Sequence, residues 1–444
     1  MNKGLTRREL LAGGMLALGA TALPGIGLAR TEADAFLKGE NLYRDVVAYA
    51  NLGEHRTATE ADVKTSRWLA DELRRAGLKV QLHPFKLRQF FPAKIELKVG
   101  GRDVKPFPLW WPTPTGAEPI VAPLAAAGPN PPAGLLKGKI ALVKIPQPPG
   151  ASIVPNSIVH RTLAPIWASG ALAVVGVTEV ATGEIFALNA MAGPDPWPLP
   201  LLAVGQSDEA MLYKAAAQGA STSLLLDGSY DDKAEAFEVV GKLERGKNLV
   251  IVSTPSSGWF RCAGERGPGV ALWLALARGA AARKSDTSFI FVASSAHELN
   301  GLGIKHFIEQ VAPKPEAVKC WLHLGAGIAT YEYKTEGGKL EKLSTASPMR
   351  RLYSAPQFAP ALTEAFAALP DLKPIVTDKP GGEMVLMARQ GYPFFGFAGG
   401  STFHHMPGDL PERSTGPELL EPVARSLVKA LAAIEAGIEN ENRR

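Results

Sequence analysis

A chain of 444 residues, 46% apolar and 20% charged, can bury a large core and has room for two or three domains. A formal charge of +5, without a run of like charges or a basic patch interleaved with aromatics, argues against a nucleic-acid-binding protein, and two cysteines are too few to staple a fold. After the first 29 residues no apolar stretch reaches the roughly 18 residues that a membrane span needs.

The first 29 residues read as a leader. Thr6-Arg7-Arg8-Glu9-Leu10-Leu11 precedes a Gly/Ala/Leu-rich stretch ending at Ala29, the pattern of a twin-arginine export signal, with cleavage after Ala29 or Ala35. The mature protein is then expected in the periplasm or secreted, folded before it crosses the membrane. Loss of Lys3, Arg7, Arg8 and Glu9 lowers the formal charge from +5 to +3, a nearly balanced surface. Cys262 and Cys320 are left as one disulfide or two buried thiols.

Helical spacing follows over 40–50 and 61–76, with Gly77 as the stop and an alternating strand at 78–82. Between 88 and 235 short strands (94–99, 139–144, 171–177, 199–204) alternate with Pro/Gly loops, and 207–218 reads as a helix. This segment is expected to be a small β-rich module of its own. The α/β alternation then returns, with strands at 248–253, 288–293, 318–324, 373–376 and 392–397, and helices at 269–282, 304–311, 360–369 and 417–437. Such alternation predicts a mostly parallel mixed sheet with helices on both faces, and ligand chemistry at the carboxyl ends of its strands.

Those ends carry a short set of polar residues. Glu265 lies in the loop after the 248–253 strand, and His297 and Glu298 follow 288–293. His323 ends 318–324, and His404, His405 and Asp409 occupy the last loop. Carboxylates and imidazoles brought together from separate strand ends suit a divalent metal, zinc above all. The glycines of Ser294–Gly303 let backbone pass closely beside them. Trp110-Trp111 reads as core or domain-interface packing, with a substrate platform as the alternative. His404 reads as loop packing rather than a ligand, and His55 and His83 as surface or packing residues.

At this point the chain resembles the co-catalytic zinc aminopeptidase family, which also contains glutaminyl cyclase, the transferrin receptor and nicastrin. Residues 294–303 look like the family's Glu-Glu-x-Gly-Leu-x-Gly segment, and Phe403-His404-His405-Met406-Pro407-Gly408-Asp409 looks like Tyr-His-Thr-x-x-Asp. Thr377-Asp378 looks like its Ser-Asp, and Leu136–Val143 with Ala164–Val175 fits the inserted protease-associated domain. The resemblance implies a metallopeptidase-like domain over 30–87 and 236–444, interrupted by a protease-associated domain over 88–235.

Carried over residue by residue, the match is partial. The His-x-Asp that ends the family's first strand is here Thr254-Pro255-Ser256, so one ligand is missing. Glu265 stands for the bridging Asp, His297 for the general-base Glu, Glu298 for the metal-binding Glu, His323 for an Asp ligand and His405 for the final His. The resemblance thus implies one zinc held by Glu265, Glu298 and His405, with His323 as a fourth ligand or an acid/base. His297 would take the proton of water during hydrolysis of an amide in a peptide or N-acyl amino acid. Cyclisation of an N-terminal Gln is a variant of that chemistry. The rival classes are a non-catalytic binding or scaffold protein that keeps the fold, and a hydrolase using Cys262 as nucleophile.

Overall fold

The computed structural model describes residues 34–147, 152–153, 157–193, 195–337 and 339–442; the stretch expected to be an export signal lies outside them. The apolar runs of the C-terminal half form adjacent strands: β7 (Asn248–Pro255), β8 (Thr287–Ser294), β9 (Cys320–Leu324) and β11 (Phe394–Phe397), with β10 (Leu352–Ser354) beyond. Val250 pairs with Phe289 and with Cys320, and Trp321 pairs with Phe394, all in parallel register. Only β10 runs antiparallel at this edge, with Leu352 opposite Phe397. Strands buried along almost their whole length read as continuous apolar runs, which is why they were legible.

Helices α1 (Gly39–Ala50), α3 (Gly267–Ala282) and α5 (Pro417–Asn442) pack on one another. Trp273 of α3 meets Phe291 edge-on, and its indole N–H donates to the Val252 carbonyl at 3.0 Å. On α4 (Leu302–Gln310), Phe307 meets Trp321 in the same edge-on manner. Gly303 opens that helix against the turn it follows: a Cβ there would lie 2.1 Å from the Ser295 carbonyl oxygen. The expected close approach of backbone in this segment is therefore real. No helix among the described residues is long and apolar enough to cross a membrane.

Two elements exceed their sequence reading. The strand at 78–82 continues as β1 (Lys79–Val99), paired antiparallel along its length with β6 (Ser221–Leu243), which sequence reasoning passed over. Gly228, Asp231, Asp232 and Lys233 interrupt the apolar pattern of β6, and its buried runs are short, 224–226 and 238–241, with exposed positions between them. The expected boundaries at 88 and 235 fall inside these strands. Between them β2 (Ile120–Ala126), β3 (Ile140–Ile145), β4 (Ala173–Thr178) and β5 (Leu201–Gly205) are parallel neighbours that continue from β6. They enclose a second hydrophobic core. A hairpin, Tyr331–Glu336 with Lys339–Ala346, was also not foreseen. The helix expected over 360–369 is shorter, Ala359–Ala365.

Trp110 joins the second core to the loop after β7: its ring lies 4.9 Å from Trp259, and its N–H donates to Gln89 at 2.7 Å. His55 is fully buried, stacked on Tyr49 at 3.9 Å with Nδ1 2.9 Å from the Thr65 hydroxyl. Burial lowers its pKa from 6.5 to about 3. The folded state therefore binds fewer protons than the unfolded chain between these values. Its contribution to stability is fully present above pH 6.5 and is lost as pH falls toward 3. From pH 6.5 to 5 that amounts to about 2 kcal/mol. His55→Phe, which keeps the stack and cannot titrate, is expected to lose less stability over that interval than wild type. Urea unfolding at both pH values checks this; parallel losses in the two proteins would refute it.

Candidate active site

The site is built where β7, β8, β9 and β11 end. After β7 the chain turns through Ser256 and Ser257 and reaches Glu265 and Arg266, the residues that open α3. Asp409 fixes this turn: it accepts the Gly264 N–H at 2.7 Å and the Glu265 N–H at 2.9 Å, and the Ser414 hydroxyl as well. A Cβ at Gly264 would lie 2.6 Å from Ser414 Cβ and 2.9 Å from Asp409 Oδ1, so only glycine fits between them. Burial raises the Asp409 pKa to about 7 against these hydrogen bonds. Its role is thus to hold the backbone that carries Glu265.

Glu265, Arg266 and Glu298 form a buried charge cluster. Arg266 Nη2 is 2.8 Å from Glu265 Oε1 and 2.9 Å from Glu298 Oε1, and all three side chains are at most 3% exposed. The Arg266 Nε–H donates to the Ser257 carbonyl at 2.9 Å, and the Ser257 hydroxyl donates to Glu298 Oε2 at 2.5 Å. Burial opposes charge on Arg266 and Glu265. For Arg266, Glu265 and Glu298 outweigh it and raise the pKa. For Glu265, Arg266 and then His404 and His405 outweigh it and hold the carboxyl well below its usual range.

His405 sits on the other side of Glu265. Its backbone is left-handed (φ 60°), strained for a residue with a side chain. Its Nδ1 is 2.9 Å from the Ala187 carbonyl, which can only accept, so Nδ1 carries the hydrogen and Nε2 is left with a lone pair in the neutral ring. That Nε2 has no hydrogen-bond partner and lies 3.3 Å from Glu265 Oε1, the same oxygen that faces Arg266 Nη2. His404 stacks on His405 at 4.2 Å and brings its Nε2 to 4.0 Å from the same oxygen. Burial lowers the His404 pKa to about 3, so its ring is neutral. One ligand atom from each of Glu265, His404 and His405 lies within 4.8 Å of the others, the one such group among the described residues.

The remaining expected residues sit elsewhere in the site. Glu298, expected as a ligand, is engaged by Arg266 and Ser257 on its two oxygens. His323, expected as a fourth ligand or acid/base, has Nδ1 2.9 Å from the Ser253 hydroxyl and Nε2 3.7 Å from Glu383 Oε2. Burial lowers its pKa to about 4 against the pull of Glu383. His297 Nδ1 is 2.8 Å from Glu383 Oε1, and its backbone N–H donates to the Ser257 hydroxyl at 3.1 Å. Burial works against ionisation of Glu383, but His297, His323 and Arg266 hold its pKa below the usual value.

Sequence reasoning missed Arg266 and Glu383. Thr377-Asp378 drew attention instead, yet Asp378 is exposed and Glu383, five residues on, is buried. The available signal for Glu383 was its position at the start of an apolar helical stretch, Met384–Arg389. Cys262 and Cys320 are free and buried. Burial, then Glu265 and Asp409, pushes the Cys262 thiol well above its ordinary pKa, which removes the thiolate that the nucleophile reading required.

A cavity of about 620 Å³ opens beside these groups, lined by His297, His323, Glu383 and His404 together with Phe186 and Tyr333. Phe186 belongs to the 184–190 loop between β4 and β5, which grips the site by its backbone. The Ala187 N–H donates to the His405 carbonyl at 3.0 Å, and the Ala190 N–H to the Glu298 carbonyl at 2.9 Å. Glu265, His404 and His405 fit a single zinc: one carboxylate and two imidazoles, one of them held by its second nitrogen.

No protein-family model matches the chain, and no curated protein matches it. Solved structures do. A zinc aminopeptidase from Bacillus subtilis is 18% identical, with 89% of this chain and 94% of that one covered and a TM-score of 0.68. A peptidase precursor from Shewanella amazonensis is 14% identical, with 92% and 97% covered and a TM-score of 0.68. An aminopeptidase from an Aneurinibacillus species is 17% identical, with 88% and 93% covered and a TM-score of 0.58. The chain has the fold of the zinc aminopeptidases, as the resemblance implied.

Proposed function

We propose that this chain is a single-metal amide hydrolase in which Glu265, His404 and His405 hold the ion and His297 moves the proton. The observation that carries the reading is His405 Nε2, buried without a hydrogen-bond partner and 3.3 Å from Glu265 Oε1, with the imidazole hydrogen committed to Ala187. A lone pair turned toward a carboxylate oxygen is repulsive unless a proton or a metal cation lies between them, and a metal ion suits the two imidazoles that meet at this oxygen. Zinc bound there would polarise an amide carbonyl and make water a better nucleophile at neutral pH.

The chain's own residues supply the rest. An ionised Glu383 accepts the Nδ1–H of His297, which leaves Nε2 as the proton acceptor. The His297 side chain is 20% exposed and lines the cavity, so its free nitrogen is open to a substrate. Phe186 and Tyr333 give the cavity walls suited to a peptide or N-acyl amino acid. Cyclisation of an N-terminal Gln would use the same groups. Twin-arginine export to the periplasm, read from Thr6–Leu11, belongs to the same proposal, since it would carry the protein across with its ion in place.

Metal analysis of the purified protein is expected to find about one zinc per chain, and His405→Ala is expected to lose it. A protein that holds no zinc and takes none up when it is offered would overturn the hydrolase. The second reading, a binding protein on the same fold, would then stand. It is favoured by one feature, the guanidinium of Arg266 between two carboxylates that would otherwise attract an ion.

A further inference from the structure

We infer that Arg266 is a tethered substitute for a metal ion, and that the Glu265–Glu298 pair it joins is a latent divalent-cation site. A single atom, Nη2, lies 2.8 Å from one carboxylate oxygen and 2.9 Å from the other. Two carboxylates brought that close in a fully buried setting cannot both ionise without a cation between them. Here the cation is part of the chain. It is fixed by its own Nε–H to the Ser257 carbonyl, and it arises where α3 begins, so the turn that presents Glu265 also delivers its counter-charge.

The consequence for the molecule concerns how many ions it needs. The positive charge at this point is permanent, cannot be chelated and does not exchange. One ion at Glu265, His404 and His405 is the most that the cluster calls for, and the Glu265–Glu298 pair keeps its geometry with or without it. The inference draws on the proposed single-ion site only for the ion count of the wild type; the geometry of Arg266 stands apart from it.

The test is a comparison of Arg266→Ala and Arg266→Lys with wild type, each melted in chelator and in added zinc or manganese, with ion content measured after dialysis. Arg266→Ala is expected to melt several degrees lower in chelator, to recover with a divalent ion, and to hold one ion per chain more than wild type. Arg266→Lys keeps the charge and is expected to melt close to wild type without added metal. Should Arg266→Ala not fold in the cell, the same readout is its refolding yield from urea with and without the ion. Arg266→Ala that takes up no additional ion and is not rescued by either metal would overturn the inference. So would Arg266→Lys as unstable as Arg266→Ala, because the side chain's shape rather than its charge would then be what the site needs. A wild type without zinc would refute the hydrolase and leave this comparison intact.

Discussion

Replacing His297 by alanine will lower turnover of an amide substrate by about 10²- to 10⁴-fold, the usual worth of a positioned proton-transfer group. The backbone N–H of His297 is anchored to Ser257, and its Nδ1 to Glu383. The ring is therefore held in one orientation with one nitrogen free, and its loss removes the proton acceptor without disturbing the buried charge cluster. Binding should change little, so the fall belongs in kcat rather than KM. Glu383→Gln is the sharper companion. A Gln amide at this position can donate to Nδ1, which would move the ring hydrogen to Nε2 and disable the base while the side chains stay put. Turnover should fall nearly as far as in His297→Ala, and the melting temperature should hardly move. Unchanged turnover in His297→Ala would show that this imidazole is not the base.

What could be read from the residues and what could not have different physical origins. The strands that end at the site are buried along their length, so their apolar runs announced them, and the polar residues just after them were found for the same reason. Arg266 is not a ligand-type side chain, so a reading that follows carboxylates and imidazoles passes over it. A basic residue directly after a would-be metal carboxylate, at the start of an otherwise apolar helix, was the signal available. The residue pattern reads His404 as loop packing. It lies against Glu265 stacked on His405, and a φ of 60° at His405 is not written in any residue pattern. The hydrogen bond that sets the His405 tautomer comes from a backbone carbonyl more than 200 residues away. Such a partner has no side-chain identity, so no sequence reading could have supplied it. The long pairing of β1 with β6 was missed for a related reason: both strands are held largely by backbone ladders and leave many side chains exposed.

Glu298→Ala separates the role expected for this residue from the one its contacts support. As a metal ligand, its loss would empty the site with a modest effect on the fold. As the partner of Arg266, its loss strips a fully buried guanidinium of one of two carboxylates and leaves the Ser257 hydroxyl without its acceptor. Breaking one side of a buried ion pair costs about 3–5 kcal/mol, partly offset here because Glu265 keeps hold of the same Nη2. The expected outcome is therefore a large fall in the urea midpoint with the zinc content of wild type retained. Glu298→Gln, whose carbonyl oxygen can still accept from Arg266 while its amide N–H turns to the Ser257 hydroxyl oxygen, should lose less, since the packing survives and the charge is what is lost. Zinc lost from Glu298→Ala while the urea midpoint stays near wild type would return Glu298 to the ligand set. It would also mean that the Arg266 contact is not what holds this part of the core together.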